Sequence, residues 1–178
     1  LLEAFDAVLP FTLTEGQASI GAELAADLAK PHPMNRLLQG EVGSGKTLVA
    51  LRAMLQVVDA GGQAALLAPT EVLAAQHYAS ITRTLGPLGQ AGMLGGSETA
   101  TRVTLLTGSM SAAQRKAALL EAASGAAGIV IGTHALLSEH VQFADLGLVV
   151  VDEQHRFGVE QRDVLRTKGR STPHLLVM

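Results

Sequence analysis

Eight residues constrain this chain more than any other stretch: Gly40-Glu41-Val42-Gly43-Ser44-Gly45-Lys46-Thr47. They form a complete G-x-x-x-x-G-K-T, set between an apolar run at Arg36–Gln39 and a Leu-, Ala- and Met-rich stretch at Lys46–Asp59. The glycines let successive backbone N–H groups curl around a phosphate, and the helix that follows adds the positive end of its dipole. Lys46 is then expected at the β- and γ-phosphates of a nucleotide, with the Thr47 hydroxyl on a Mg²⁺ ion. At an ordinary glycine usage of roughly 7%, chance produces the full pattern in a chain of this length at below about 1%. A loop of this kind needs a strand before it and a helix after it.

The rest of the chain supplies more such units. Short apolar runs at Arg36–Gln39, Gln63–Ala68, Val103–Leu106, Gly128–Gly132, Gly147–Val151 and His174–Val177 predict strands buried on both faces of a parallel sheet. Helices are predicted over Lys46–Asp59, stopping at Gly61–Gly62, and over Glu71–Leu85, stopping at Gly86–Pro87. A third covers Ser111–Ala123, where Ser111 and Gln114 have capping-box spacing. Leu1–Lys30 reads as helical with a break at Pro10–Thr14, and the glycine-rich Gly86–Arg102 reads as a loop. Alternation at this pitch implies one α/β domain with right-handed crossovers, its ligands beyond the carboxyl ends of the strands.

Composition narrows the function classes. The 178 residues include 48% hydrophobic and 16% charged residues at a net charge of −3, which argues against a disordered chain. No cysteine is present, so disulfides, thiolate zinc sites and cysteine nucleophiles are excluded. The longest apolar runs, Ala64–Pro69 and Leu146–Val151, are too short to span a bilayer, and Leu1–Phe5 carries no signal-peptide pattern. A soluble, cytoplasmic domain without membrane contact is expected. Only 3% of residues are aromatic and Trp is absent, so composition alone points away from a base-stacking or broadly basic nucleic-acid surface.

A second motif lies at Leu148-Val149-Val150-Val151-Asp152-Glu153-Gln154-His155, an apolar strand that ends in two carboxylates. Beside a phosphate loop, Asp152 is expected to share Mg²⁺ with Thr47, and Glu153 to polarise the attacking water as general base. A strand closed by solvated charges is the plain alternative. A non-hydrolysing nucleotide switch would have no use for a base at Glu153, and a small-molecule kinase would not need Thr70-Glu71 or Thr133-His134. His32, His77, His140 and His174 lack ligand spacing with one another and read as surface or core histidines, with no metal site beyond Mg²⁺.

The pair of motifs resembles the signature of superfamily 2 helicases, and further segments extend the likeness. Ala68-Pro69-Thr70-Glu71-Val72-Leu73-Ala74-Ala75-Gln76-His77 looks like motif Ia, and Gly132-Thr133-His134-Ala135-Leu136-Leu137 looks like motif Ib. Asp152-Glu153-Gln154-His155-Arg156-Phe157-Gly158-Val159-Glu160-Gln161-Arg162 and Gln39–Thr47 are similar to the bacterial helicases that act on branched DNA. The resemblance runs from Pro10 onward and departs at Gly86–Arg102, which is longer and richer in glycine than expected. It implies a RecA-like P-loop NTPase fold, a parallel sheet sandwiched between helices, as the first motor domain of a larger chain. The chain stops at His174–Met178, where the third helicase motif is expected to begin, so residues 1–178 are expected to be one part of that enzyme.

The implied activity is ATP-dependent translocation on double-stranded DNA at stalled forks and Holliday-type junctions, in recombination and repair. The second RecA-like domain and a wedge domain of the same chain would be its partners, in a monomeric, nucleoid-associated bacterial protein. The isolated segment is expected to hydrolyse ATP poorly. A related reading keeps the motor and changes the job, to transcription-coupled repair or replication restart; Gln154 and Gln161-Arg162 favour the branched-DNA branch. By resemblance, Gly40, Gly43, Ser44, Gly45, Lys46 and Thr47 hold ATP, and Gln17 in Phe11–Gln17 reads adenine, although Thr14 and Gln17 also fit a capping box. Thr70 and Glu71, Thr107 and Gly108, and Gly132, Thr133 and His134 are expected at DNA phosphates, against turn chemistry as the alternative. Gln154, His155, Arg156, Gln161 and Arg162 are expected to relay the γ-phosphate state to the other motor half, with Phe157 either part of this element or a core residue.

Overall fold

Runs such as Ala64–Leu67 and Leu148–Val151 have no polar side, so the strands they form need cover on both faces. The computed structural model, which describes residues 2–8, 15–29, 35–37, 46–89, 101–137, 141–152 and 173–178, provides that cover. The elements in chain order are helices α1 (Leu2–Val8) and α2 (Glu15–Leu28), strand β1 (Asn35–Leu37), α3 (Lys46–Asp59), β2 (Gln63–Leu67), α4 (Glu71–Leu85), β3 (Arg102–Leu106), α5 (Ala112–Ser124), β4 (Ala127–Gly132), β5 (Leu146–Val151) and β6 (His174–Val177). The helices over Lys46–Asp59 and Glu71–Leu85 match their predicted bounds, and the strand boundaries fall close to theirs wherever both ends are described. The expected loop at Gly86–Arg102 is more structured at its ends. A 3₁₀ turn occupies Gly86–Gly89, and Arg102 already belongs to β3, because Thr101 N–H donates to Leu88 O at 2.8 Å and draws the strand start inward. The predicted break at Pro10–Thr14 lies outside the described residues.

The six strands form one parallel sheet in the order β1-β6-β5-β2-β4-β3. Side chains alternate between its faces, as a period of two requires, except at Ala127–Ile129 and Leu146–Leu148, where the pairing register shifts. Ala64, Leu66, Ile129, Ile131, Leu148, Val150 and Leu176 point to the face covered by α3 and α4, with Phe5 of α1 and Leu24 of α2 joining the same core. Ala65, Leu67, Val130, Val149, Val151 and Leu175 point to the other face, against Ala118 and Ala122 of α5 and Leu136. Full burial of each Val, Leu or Ile side chain among them contributes about 1.5–3 kcal/mol. α1 is held to α3 by a two-pronged ion pair, with Arg52 Nε and Nη2 each 2.9 Å from an Asp6 carboxylate oxygen.

Small residues let α3 lie close to the sheet at its far end. Val57 Cγ1 is 2.9 Å from where a Cβ would stand at Gly147, and Val58 Cγ2 is 3.0 Å from the same point at Gly128. The helix stops there in a Schellman turn: Gly62 N–H donates to Val57 O and Gly61 N–H to Val58 O, both at 3.0 Å, with Gly61 at φ 91°. α5 is closed at its start by the predicted capping box of Ser111 and Gln114. Its Glu121 pairs with Arg102 at 2.9 Å and accepts from the Thr104 hydroxyl, fastening the edge strand β3.

At the amino ends of the strands sits one buried amide. Gln63 is 2% exposed; its Nε2 donates to Ala122 O (2.9 Å) and Ala127 O (2.8 Å), and its Oε1 accepts from Asp145 N–H (3.0 Å). One side chain thus ties β2 to the end of α5, the start of β4 and the approach to β5. Gln63→Leu keeps the volume but strands these groups, and is expected to destabilise the fold by about 2–3 kcal/mol in urea unfolding.

His174 opens β6 and is half-buried; burial pushes its imidazole pKa below the ordinary 6.5, against a smaller upward pull from Asp27. The unfolded chain therefore binds this proton more readily than the fold does. The contribution of His174 to stability is intact above the ordinary histidine pKa and is lost as pH falls towards the depressed folded value. Thermal melts between about pH 7.5 and about pH 5.5 should show a shallower decline for His174→Gln than for the parent chain.

Candidate functional site

A sheet with every strand parallel delivers all its carboxyl ends to one rim, and the strand order decides which loops are neighbours there. β1, which leads to the phosphate loop, and β5, which ends at Asp152, lie in one half with β6 between them; β2, β4 and β3 fill the other. Lys46 and Thr47 are the first two residues of α3, and Thr47 is half-buried. Gly40, Gly43, Ser44, Gly45, Glu153, Gln154, His155, Arg156, Phe157, Gln161 and Arg162 lie outside the described residues, as do His32, His140 and the side chains of Lys46 and His134. Gln17 stands in the first turn of α2, half-buried.

Asp152 directly follows β5. Its N–H donates to Leu67 O at 3.0 Å, and its Oδ2 lies 3.2 Å from Nε2 of His77, with the two side chains 16% and 17% exposed. His77, read from sequence as a surface or core histidine, is half-buried here. It is one half of a polar pair at the rim, and since a carboxylate can only accept, Nε2 donates. The signal was present in the helix. Ala74, Ile81 and Leu85 form the buried stripe of α4, and position 77 lies on that stripe, where a polar residue needs a partner. The donor set at this end of the sheet, the Thr47 hydroxyl and the Asp152 carboxylate, consists of hard oxygen ligands. That suits Mg²⁺, which takes one or two protein oxygens beside a nucleotide's phosphates.

In the other half, Thr70 caps α4: its Oγ1 accepts from Leu73 N–H at 3.1 Å. Glu71 Oε1 accepts from Ser109 N–H at 3.0 Å, and Arg115 Nη2 donates to Gly108 O at 2.5 Å. Ala68 N–H donates to Gly132 O at 2.8 Å. The ends of β2, β4 and β3 are thus laced together by backbone and carboxylate.

The sequence of residues 15–177 matches the family model for the DEAD/DEAH box helicases. The chain belongs to that family. Among curated relatives, it is 67% identical over 172 residues to the ATP-dependent DNA helicase RecG of Mycobacterium tuberculosis strain H37Rv, covering 96% of this chain and 23% of that protein. It is 48% identical over 178 residues to RecG of Synechocystis, covering all of this chain and 20% of that one. A solved structure of RecG bound to a three-way DNA junction superposes with a TM-score of 0.81 at 39% identity, covering 98% of this chain and 22% of that one. The chain therefore spans under a quarter of the length of these relatives.

Within this DEAD/DEAH box fold, the predicted rim residues divide by exposure. Thr70, Glu71 and Gly108 are exposed, as is the neighbouring Ser109. Thr107 (5%) and Thr133 (8%) are buried, and Gly132 is the buried last residue of β4, so these three shape the rim from beneath. The expected place of Glu71 at a phosphate is through the helix start; its carboxylate braces the Ser109 turn. At Gly132 the reason for glycine is space. A Cβ there would stand 2.3 Å from Leu106 O and 2.9 Å from Leu136 Cγ. Gly132→Ala is expected to cost about 1–3 kcal/mol in urea unfolding, with faster amide exchange where β3 pairs with β4.

Proposed function

We propose that the chain is the ATP-binding motor domain of a larger ATP-dependent DNA helicase that acts on branched DNA, at stalled forks and Holliday-type junctions in recombination and repair. The observation that carries this reading is the divided rim. The strand order groups the phosphate-loop strand and Asp152 in one half, and the exposed helix start and turn at Thr70–Glu71 and Gly108–Ser109 in the adjoining half. The match of nearly all of this chain to part of the RecG proteins supports branched DNA as the substrate.

In this reading the backbone of Gly40, Gly43, Ser44 and Gly45 cradles the triphosphate, and Lys46 neutralises the β- and γ-phosphates. Gln17 hydrogen-bonds the adenine. Thr47 and Asp152 hold Mg²⁺, which when bound supplies charge neutralisation to the polyphosphate. Glu153 takes a proton from the water that attacks the γ-phosphorus, and the bond to the departing ADP breaks. Thr70, with the Gly108 turn and Thr133-His134 behind it, engages DNA backbone through hydroxyl and N–H donors. Such contacts fix register without reading bases. Gln154, His155, Arg156, Gln161 and Arg162 carry the γ-phosphate state to a second RecA-like domain, and a wedge domain parts the strands. The protein works as a monomer in the bacterial cytoplasm, at the nucleoid.

In the full-length protein, Lys46→Ala or Glu153→Gln is expected to lower DNA-stimulated ATP turnover by at least about 100-fold, measured by phosphate release. Turnover close to the parent rate in either variant would refute the assignment.

A further inference from the structure

α4 belongs to the half of the rim formed by β2, β4 and β3, yet one of its side chains reaches the other half. Its amino end carries the Thr70 cap and, through Glu71, the Ser109 turn; about 9 Å along the same helix, His77 meets Asp152. Asp152 is also held through its backbone to Leu67, the last residue of β2, only four residues before α4 begins. The carboxylate, the β2 end and the helix are therefore one mechanical unit, joined at the backbone and again at a side chain. The second link is the informative one. The backbone bond alone fixes where Asp152 sits in the sheet, whereas the His77 bond makes the direction of its carboxylate depend on where α4 lies. Both partners are largely shielded from water, which strengthens the bond and makes its loss costly.

We propose that His77 is a positioning residue that couples the nucleotide half of the rim to the nucleic-acid half, by tying the Asp152 carboxylate to the helix whose amino end faces DNA. The inference rests on the functional reading above and adds a route within this one domain, separate from the relay at Gln154–Arg162. A ligand that draws Asp152 pulls on His77 and tilts α4; a ligand that seats on the start of α4 redirects Asp152. Thermodynamic linkage makes the two effects equal in size.

The experiment measures binding rather than turnover. A fluorescent three-way DNA junction is titrated with the full-length protein, with and without saturating Mg²⁺ and a non-hydrolysable ATP analogue. The ratio of the two Kd values is the coupling factor. The parent protein is expected to give a factor of at least about 5 in one direction or the other. H77A is expected to bring it within about twofold of unity, and H77Q, whose amide nitrogen can replace Nε2, to restore most of it. If H77A does not fold, H77F fills the space without offering a donor and takes its place. An unchanged factor in H77A or H77F overturns the proposal, as does a parent protein that binds both ligands with a factor near one. Failure of H77Q to restore the factor, in a protein that melts at the parent temperature, also overturns it. A parent protein that binds neither nucleotide nor junction refutes the functional reading instead.

Discussion

The fold depends on the pairing of β2 with β5 on one side and β4 on the other. β2 is buried along its whole length, and its partners run in its own direction, so every crossover must travel back over a face of the sheet before the next strand can begin. That forces helices onto both faces and gathers every functional loop at one rim. The opposite rim is then left to hold the strands in register, and Gln63 does much of this with a single amide. A chain built this way can alter its working loops without disturbing the pairing, because the interactions that set register lie at the other end of the strands.

The sequence displayed a good deal of this. Apolar runs bounded by Gly, Pro, Ser and Thr place the strands and helices closely, since burial on both faces leaves no polar residue to blur an edge. Thr70 and Ser111 are legible as caps because a capping hydroxyl acts on residues three positions away. Strand order is a different matter. Nothing local records that β6, the last strand, inserts between β1 and β5. The polar pairs across the rim are equally hidden, with His77 and Asp152 separated by 75 residues and Glu71 and Ser109 by 38. Burial misled in one respect. Hydroxyls at strand ends read as phosphate contacts, yet Thr107 and Thr133 are buried.

Composition pointed away from nucleic acid, with a net charge of −3, few aromatic residues and no Trp. The rim reconciles that with the proposed role. What it offers is a hydroxyl-capped helix start and backbone N–H groups, and it spends a carboxylate, Glu71, on bracing its own turn. Donors of this kind fit a phosphate that must be held and released repeatedly, where a dense basic surface would hold on through counterion release. The His77–Asp152 bond is of the same kind, a polar contact between the two halves of the rim.

The close seating of Val57 and Val58 over Gly147 and Gly128 has a mechanical consequence for α3. The helix is clamped at its carboxyl end, while its amino end carries Lys46 and Thr47. It is a rod of about 20 Å packed along its length, with Val49, Ala50, Leu51, Met54 and Leu55 buried, so it moves against the sheet as one body. A tilt of about three degrees at the clamp moves the first turn by about 1 Å, which is the scale on which a phosphate contact is made or lost. A methyl group added at Gly147 would press on Val57 at that end, changing the aim of the phosphate-binding end from the far side of the domain.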